Sequence, residues 1–165
     1  MSRLNSLLLL LIGASTLFTA CTKSVNTMTP AGQIDAVITG NQWVSGGTWT
    51  STGAQAVSFY AQAPAGYTKT LLIAATQTSG TSIHGAILLT ITNYQDTAGS
   101  FNIDNSTNLA EYLTTSPDTV VHQSLYGNVT ITKGTDKNVY GYFSFTCKDS
   151  AKVTNGTFNL NIQAK

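Results

Sequence analysis

The stretch VYGYFSFTCK, Val139–Lys148, decides the fold class of this chain. Successive side chains of an extended strand point to opposite faces, so Phe143, Phe145 and Cys147 share one side and Tyr142, Ser144 and Thr146 the other. Working outward, GTFNLNIQ at 156–163 repeats the pattern, with Phe158, Leu160 and Ile162 alternating against Thr157, Asn159, Asn161 and Gln163. GNVTITKG at 127–134 sets Val129 and Ile131 opposite Thr130 and Thr132. The links KGTDKN and DSAKVTNG are rich in turn residues, so the three segments read as an antiparallel meander with one face buried and one wet. Cys147 falls on the wall of Phe143 and Phe145, which makes it a buried, inert thiol.

Upstream the same period continues, broken by turn residues every ten residues or so, the spacing of a sandwich or barrel. KTLLIAATQ (69–77) and GAILLTITNY (85–94) are near-continuous aliphatic runs, expected of central strands covered on both faces. AVSFYAQA, GSFNID, LAEYLT and NQWVSGGTWT supply further pieces, and Trp43 in the last belongs to the core. The expectation is an all-β domain over residues 33–165, an antiparallel β-sandwich or short barrel of about 8–10 strands, largely meander. Between sandwich and barrel the sequence does not choose.

The N-terminus carries an address. After Arg3, the apolar run from Leu7 to about Phe18 is shorter than the roughly 20 residues that span a bilayer. A basic start, a short apolar stretch and small residues before a cut describe a signal peptide, residues 1–20. The segment Phe18–Thr19–Ala20–Cys21 resembles the lipobox of bacterial prolipoproteins, in which the cysteine thiol receives a diacylglycerol. More than one acyl chain at Cys21 would anchor the chain stably where a single one would not. Residues 21–32, without periodicity, read as a flexible tether. The alternatives are a buried N-terminal helix, and a disulfide from Cys21 to Cys147, the only other cysteine.

Charge excludes some partners. Beyond residue 20 the chain has seven lysines, seven acids and no arginine. That leaves no basic stripe for nucleic acid and no acidic cluster for calcium. Chemistry is equally sparse. His84 and His122 are isolated in sequence, and no H-x-H or H-E-x-x-H spacing suggests zinc. No G-x-S-x-G elbow occurs, and most of the acids (Asp96, Asp104, Asp118, Asp136 and Asp149) sit where an Asp side chain stabilises a turn. The reading is a non-catalytic domain with no catalytic residue, no metal site and no cofactor. An enzyme would reveal itself by His84 or His122 within hydrogen-bond reach of an acid in a cleft.

The segments NQWVS, GNVTITK, YGYFSFTC and VTNGTFNL together resemble a family of small lipoproteins of Bacteroidota that carry a DUF6252 domain of unknown function. The resemblance runs over about residues 33–163, with the opening Gly40–Asn41–Gln42–Trp43 in altered order and Tyr142 in place of the usual threonine. It implies a β-domain tethered to the outer membrane and carries over no catalytic residue. Asp96–Thr97–Ala98, Asp118–Thr119–Val120 and Asp149–Ser150–Ala151 resemble the Asp–Ser/Thr–aliphatic acceptor of O-glycosylation in that phylum, making Thr97, Thr119 and Ser150 candidate acceptors. Ordinary Asp-Thr turns are the alternative.

Aromatic residues offer the last handle. Tyr140 and Tyr142 lie on the outer face if Phe143 points inward, where rings form platforms for sugars or proteins. Cross-strand aromatic packing is the competing explanation. Two functions follow: a membrane-anchored module that binds a glycan or an envelope protein, or a barrel-type carrier of a small apolar ligand.

Overall fold

The computed structural model describes residues 29–45, 54–63, 66–79, 82–115 and 118–164. The expected signal peptide, Cys21 and residues 21–28 of the expected tether lie outside them. Ten strands form among the described residues: β1 (Gln33–Ile38), β2 (Asn41–Val44), β3 (Ala54–Ala63), β4 (Gly66–Ser79), β5 (Ser82–Thr92), β6 (Gly99–Ile103), β7 (Leu109–Thr114), β8 (Val120–Gly134), β9 (Asn138–Cys147) and β10 (Lys152–Ala164). They join in the order β2-β1-β10-β3-β4-β5-β7-β8-β6, with β9 bridging β10 and β8.

That bridge curls the sheet on itself. Through β9 the pairings run β3-β4-β5-β7-β8-β9-β10 and return to β3, where Ile162, Gln163 and Ala164 meet Ala56, Val57 and Ser58 in the one parallel contact. The two long strands turn the corners. Residues 120–123 of β8 pair with β7, and 124–134 with β9; β10 likewise serves β9 first and β3 at its end. One wall is therefore β2, β1, β10, β9, β8 and β6, and the other β3, β4, β5 and β7. The antiparallel, mostly meander architecture read from the sequence is what forms.

The core fills the space between the walls. Phe143, Phe158, Leu160, Val129, Ile131 and Ile34 come from the first wall, and Leu71, Ile73, Ile87, Leu89 and Ile91 from the second, all essentially without solvent exposure. Each side chain of this size contributes roughly 1.5–3 kcal/mol on full burial. A two-residue hairpin, Thr39–Gly40, joins β1 to β2; both residues have positive φ (47° and 87°), the conformation that matches strand twist. It sets Trp43 opposite Ala36 and into the core, 4 % exposed, as expected.

One expectation fails. The aliphatic runs of β4 and β5 are covered on one face only: Leu71, Ile73, Ile87, Leu89 and Ile91 are buried while Leu72, Ala74 and Leu88 are half-buried. The chain is also held before β1 begins. Thr29 is buried, its hydroxyl bonds Thr157, and its carbonyl accepts from Asn159 Nδ2 at 3.0 Å.

Candidate functional site

Two places gather polar chemistry. The first is the outer face of β8, β9 and β10. Pleating that buries Phe143, Phe145 and Cys147 turns Tyr140, Tyr142, Ser144 and Thr146 outward. Register then builds rows across the wall: Thr157, Tyr142, Thr130 and Ser100 in one, Ser144, Asn128 and Asn102 in the next. Across the strands Tyr142 faces Thr130 and Thr157, and Tyr140 faces Lys133 and Asn159. Cross-strand aromatic packing is thus not what holds these rings outward.

The backbone beneath is irregular. The β10–β9 register shifts between Val153 and Gly156, and Asn155 there has φ 52°. Such a bulge bends its strand and redirects side chains, here Thr154 and Asn155. Inside, glycine and phenylalanine interlock. Gly156 pairs with Phe143 and Gly141 with Phe158; a Cβ on Gly156 would come within 2.5 Å of the Phe143 ring, and one on Gly141 within 2.7 Å of Phe158 Cζ. Each glycine makes room for the ring of its cross-strand partner.

On the outer side lies a depression of about 550 Å³ walled by Tyr140 and Tyr142, with Asn128, Ser144, Thr154, Asn155 and Thr157 around it. A second, of about 410 Å³, adjoins it and includes Tyr126, Asn102 and Thr146; the two share Asn128, Ser144 and Thr154. No acid or base among the described residues lines either one. Asn128 is fixed by its neighbours: Nδ2 donates to Ser100 Oγ at 3.0 Å and Asn102 Oδ1 at 3.3 Å, and Oδ1 accepts from Thr130 at 2.8 Å. Sequence alternation could have found Tyr126, which shares the outer parity of Asn128 and Thr130. The bulge gave no comparable signal.

The second place joins the start of β8 to the β9–β10 turn. His122 Nδ1 bonds Asp149, its Nε2 faces Thr114 Oγ1 at 3.4 Å, and its ring stacks on Tyr112 at 5.4 Å between centroids. The His122 bond comes first among the causes that hold the Asp149 carboxyl below the usual carboxylate range. A histidine therefore does meet an acid, a contact invisible in sequence because 27 residues separate them. The geometry suits a tie more than a relay. Asp149 is half-exposed, the Thr114 contact is at the outer limit of a hydrogen bond, and the same junction is clamped by the backbone bond from Lys148 N to Gln123 O and by the Cys147 thiol donating to His122 O. Burial, with Asp149 nearby, pushes the Cys147 thiol up to about 11, which leaves it protonated and inert at neutral pH.

Other residues singled out by sequence lie apart. Thr97, Thr119 and Ser150 are all exposed and in connecting segments, and Ser150 has φ 71° in its turn. His84 is exposed near the start of β5. Among the described residues no group of three or more His, Cys, Asp or Glu could hold a metal ion. No protein-family model, curated protein or solved structure matches this chain.

Proposed function

We propose that this chain is a cell-envelope lipoprotein, anchored through lipid on Cys21 to what its resemblance to the DUF6252 lipoproteins makes the outer membrane, whose β-domain is a non-catalytic module that binds glycan. What carries the binding reading is the uncharged depression between Tyr140 and Tyr142. Its volume is in the range of small-ligand sites. Tyrosine rings present an apolar face with a polar edge, and the surrounding amides and hydroxyls both donate and accept. A neutral, polyhydroxylated ligand matches all three features, whereas an anion or cation finds no counter-charge there. The interior favours this over a carrier, since Phe143, Phe145, Phe158, Trp43 and Tyr94 occupy the space between the walls.

Titration with neutral oligosaccharides, followed by NMR shifts, tests the site. The expected shifts centre on Tyr140, Tyr142 and Thr157, and Tyr142→Ala weakens binding at least about tenfold with an unchanged unfolding midpoint. Undiminished binding by that variant would remove the platform. The anchor has its own check, the intact mass of protein from its native host beside Cys21→Ala. A lipid-sized excess lost in the variant supports the anchor; a bare-chain mass in both removes it. Sugar-sized increments in the same spectrum are expected if Thr97, Thr119 or Ser150 is an acceptor.

A further inference from the structure

We infer that the ligand is a linear neutral oligosaccharide lying along β8 and β9, in contact with Tyr142 at one end and Tyr126 at the other. This rests on the glycan reading above and specifies its length and course. Three observations carry it. The two depressions share Asn128, Ser144 and Thr154, so they form one trough and not two separate hollows. Each end carries an exposed ring, Tyr142 at 52 % and Tyr126 at 59 %. Register places Tyr142 beside Thr130, four residues along β8 from Tyr126, or about 13 Å at roughly 3.3 Å per residue.

That separation sets the ligand. A single pyranose can stack on one ring but cannot reach the other. A chain of sugars can cover both and present its hydroxyls to the middle of the trough. The middle suits them: Asn128 is locked by Ser100, Asn102 and Thr130, so the floor loses little freedom on binding. Ser144 stands beside it on β9. Without a charged lining residue, acidic sugars gain nothing over neutral ones. The bulged Thr154 and Asn155 flank the trough on the β10 side and set the direction of the chain along the strands.

The test uses the folded domain with neutral linear series (cello-, xylo-, manno- and malto-oligosaccharides), comparing each disaccharide with its hexasaccharide. In at least one series the hexasaccharide is expected to bind about tenfold tighter or better. Tyr126→Ala should abolish that gain; Tyr142→Ala should weaken the binding of disaccharide and hexasaccharide alike. Tyr126→Phe should keep the gain if stacking is its source. Equal affinity for short and long chains, or a Tyr126→Ala variant that retains the gain, overturns the trough and leaves the Tyr140–Tyr142 site standing. No binding in any series overturns the glycan reading and this inference with it.

Discussion

The two walls of this domain solve the same problem differently. The wall of β3, β4 and β5 is regular: β3 and β4 pair over ten residues without interruption, and the β4–β5 ladder shifts only near its end. Aliphatic side chains fill its inner face. The wall of β1, β10, β9 and β8 is interrupted at Asp35/Val37, Val153/Gly156, Ser124/Tyr126 and Ile131/Lys133. Its inner face adds the rings of Phe143 and Phe158, seated over glycines, to aliphatic side chains, and its outer face bears Tyr140 and Tyr142. The lesson concerns where shape comes from. A regular ladder of similar side chains gives a surface with little relief, while bulges and glycines give a sheet hollows and raised edges. The candidate site lies on the irregular wall.

The largest expected effect tests the interlock. Phe158 is fully buried, lies over Gly141 and stacks with Phe143 at 6.3 Å. Phe158→Ala removes a ring that nothing else can replace, because its glycine partner has no side chain to relax into the space. Denaturant unfolding should show a loss of about 3–5 kcal/mol. A cost below about 1 kcal/mol would mean the irregular wall does not depend on its ring–glycine contacts, and the contrast between the walls would reduce to surface composition.

A much smaller effect is expected on the outer face of the regular wall. If Leu88 is half-buried only by its neighbours on the same sheet, Leu88→Thr should change stability by no more than about 0.5 kcal/mol, since a β-branched residue suits the site. A loss near that of a core truncation would mean another layer covers this face, restoring the two-faced burial that the sequence suggested.

Much of the fold was legible because period two is a local signal. Val139–Cys147 and Gly156–Gln163 each declare their inner and outer faces within a few residues, and Tyr142 and Cys147 are where that alternation puts them. The aliphatic runs misled because composition alone cannot separate a strand covered by a second layer from one shielded by its neighbours. The ring closure between Ile162 and Ala56 was out of reach, being a parallel contact between distant segments. So was the His122–Asp149 tie. The site was half legible: alternation gives the tyrosines, but the trough depends on a bulge at Thr154–Asn155 that leaves no mark in hydrophobic pattern.

A pH-dependent effect is expected at the link that carries the chain from the irregular wall to the regular one. Between β6 and β7, Asp104 Oδ1 accepts the backbone N–H groups of Ser106 at 2.9 Å and Thr107 at 2.7 Å, with Asn108 farther at 3.3 Å. These bonds, that from Thr107 foremost, hold the carboxyl at about 2 against an ordinary 3.8. A depressed folded-state value means the charged form is favoured by folding. The contribution is therefore present in full above about 3.8 and is lost as pH falls toward about 2. Asp104→Asn keeps an acceptor oxygen but not the charge. Its unfolding midpoint should lie below that of the parent chain at neutral pH, and the two should converge near pH 2. A gap that stays constant across this range would show that shape, not charge, lets Asp104 close the link, and would make the crossing between the walls as indifferent to pH as the regular ladder beside it.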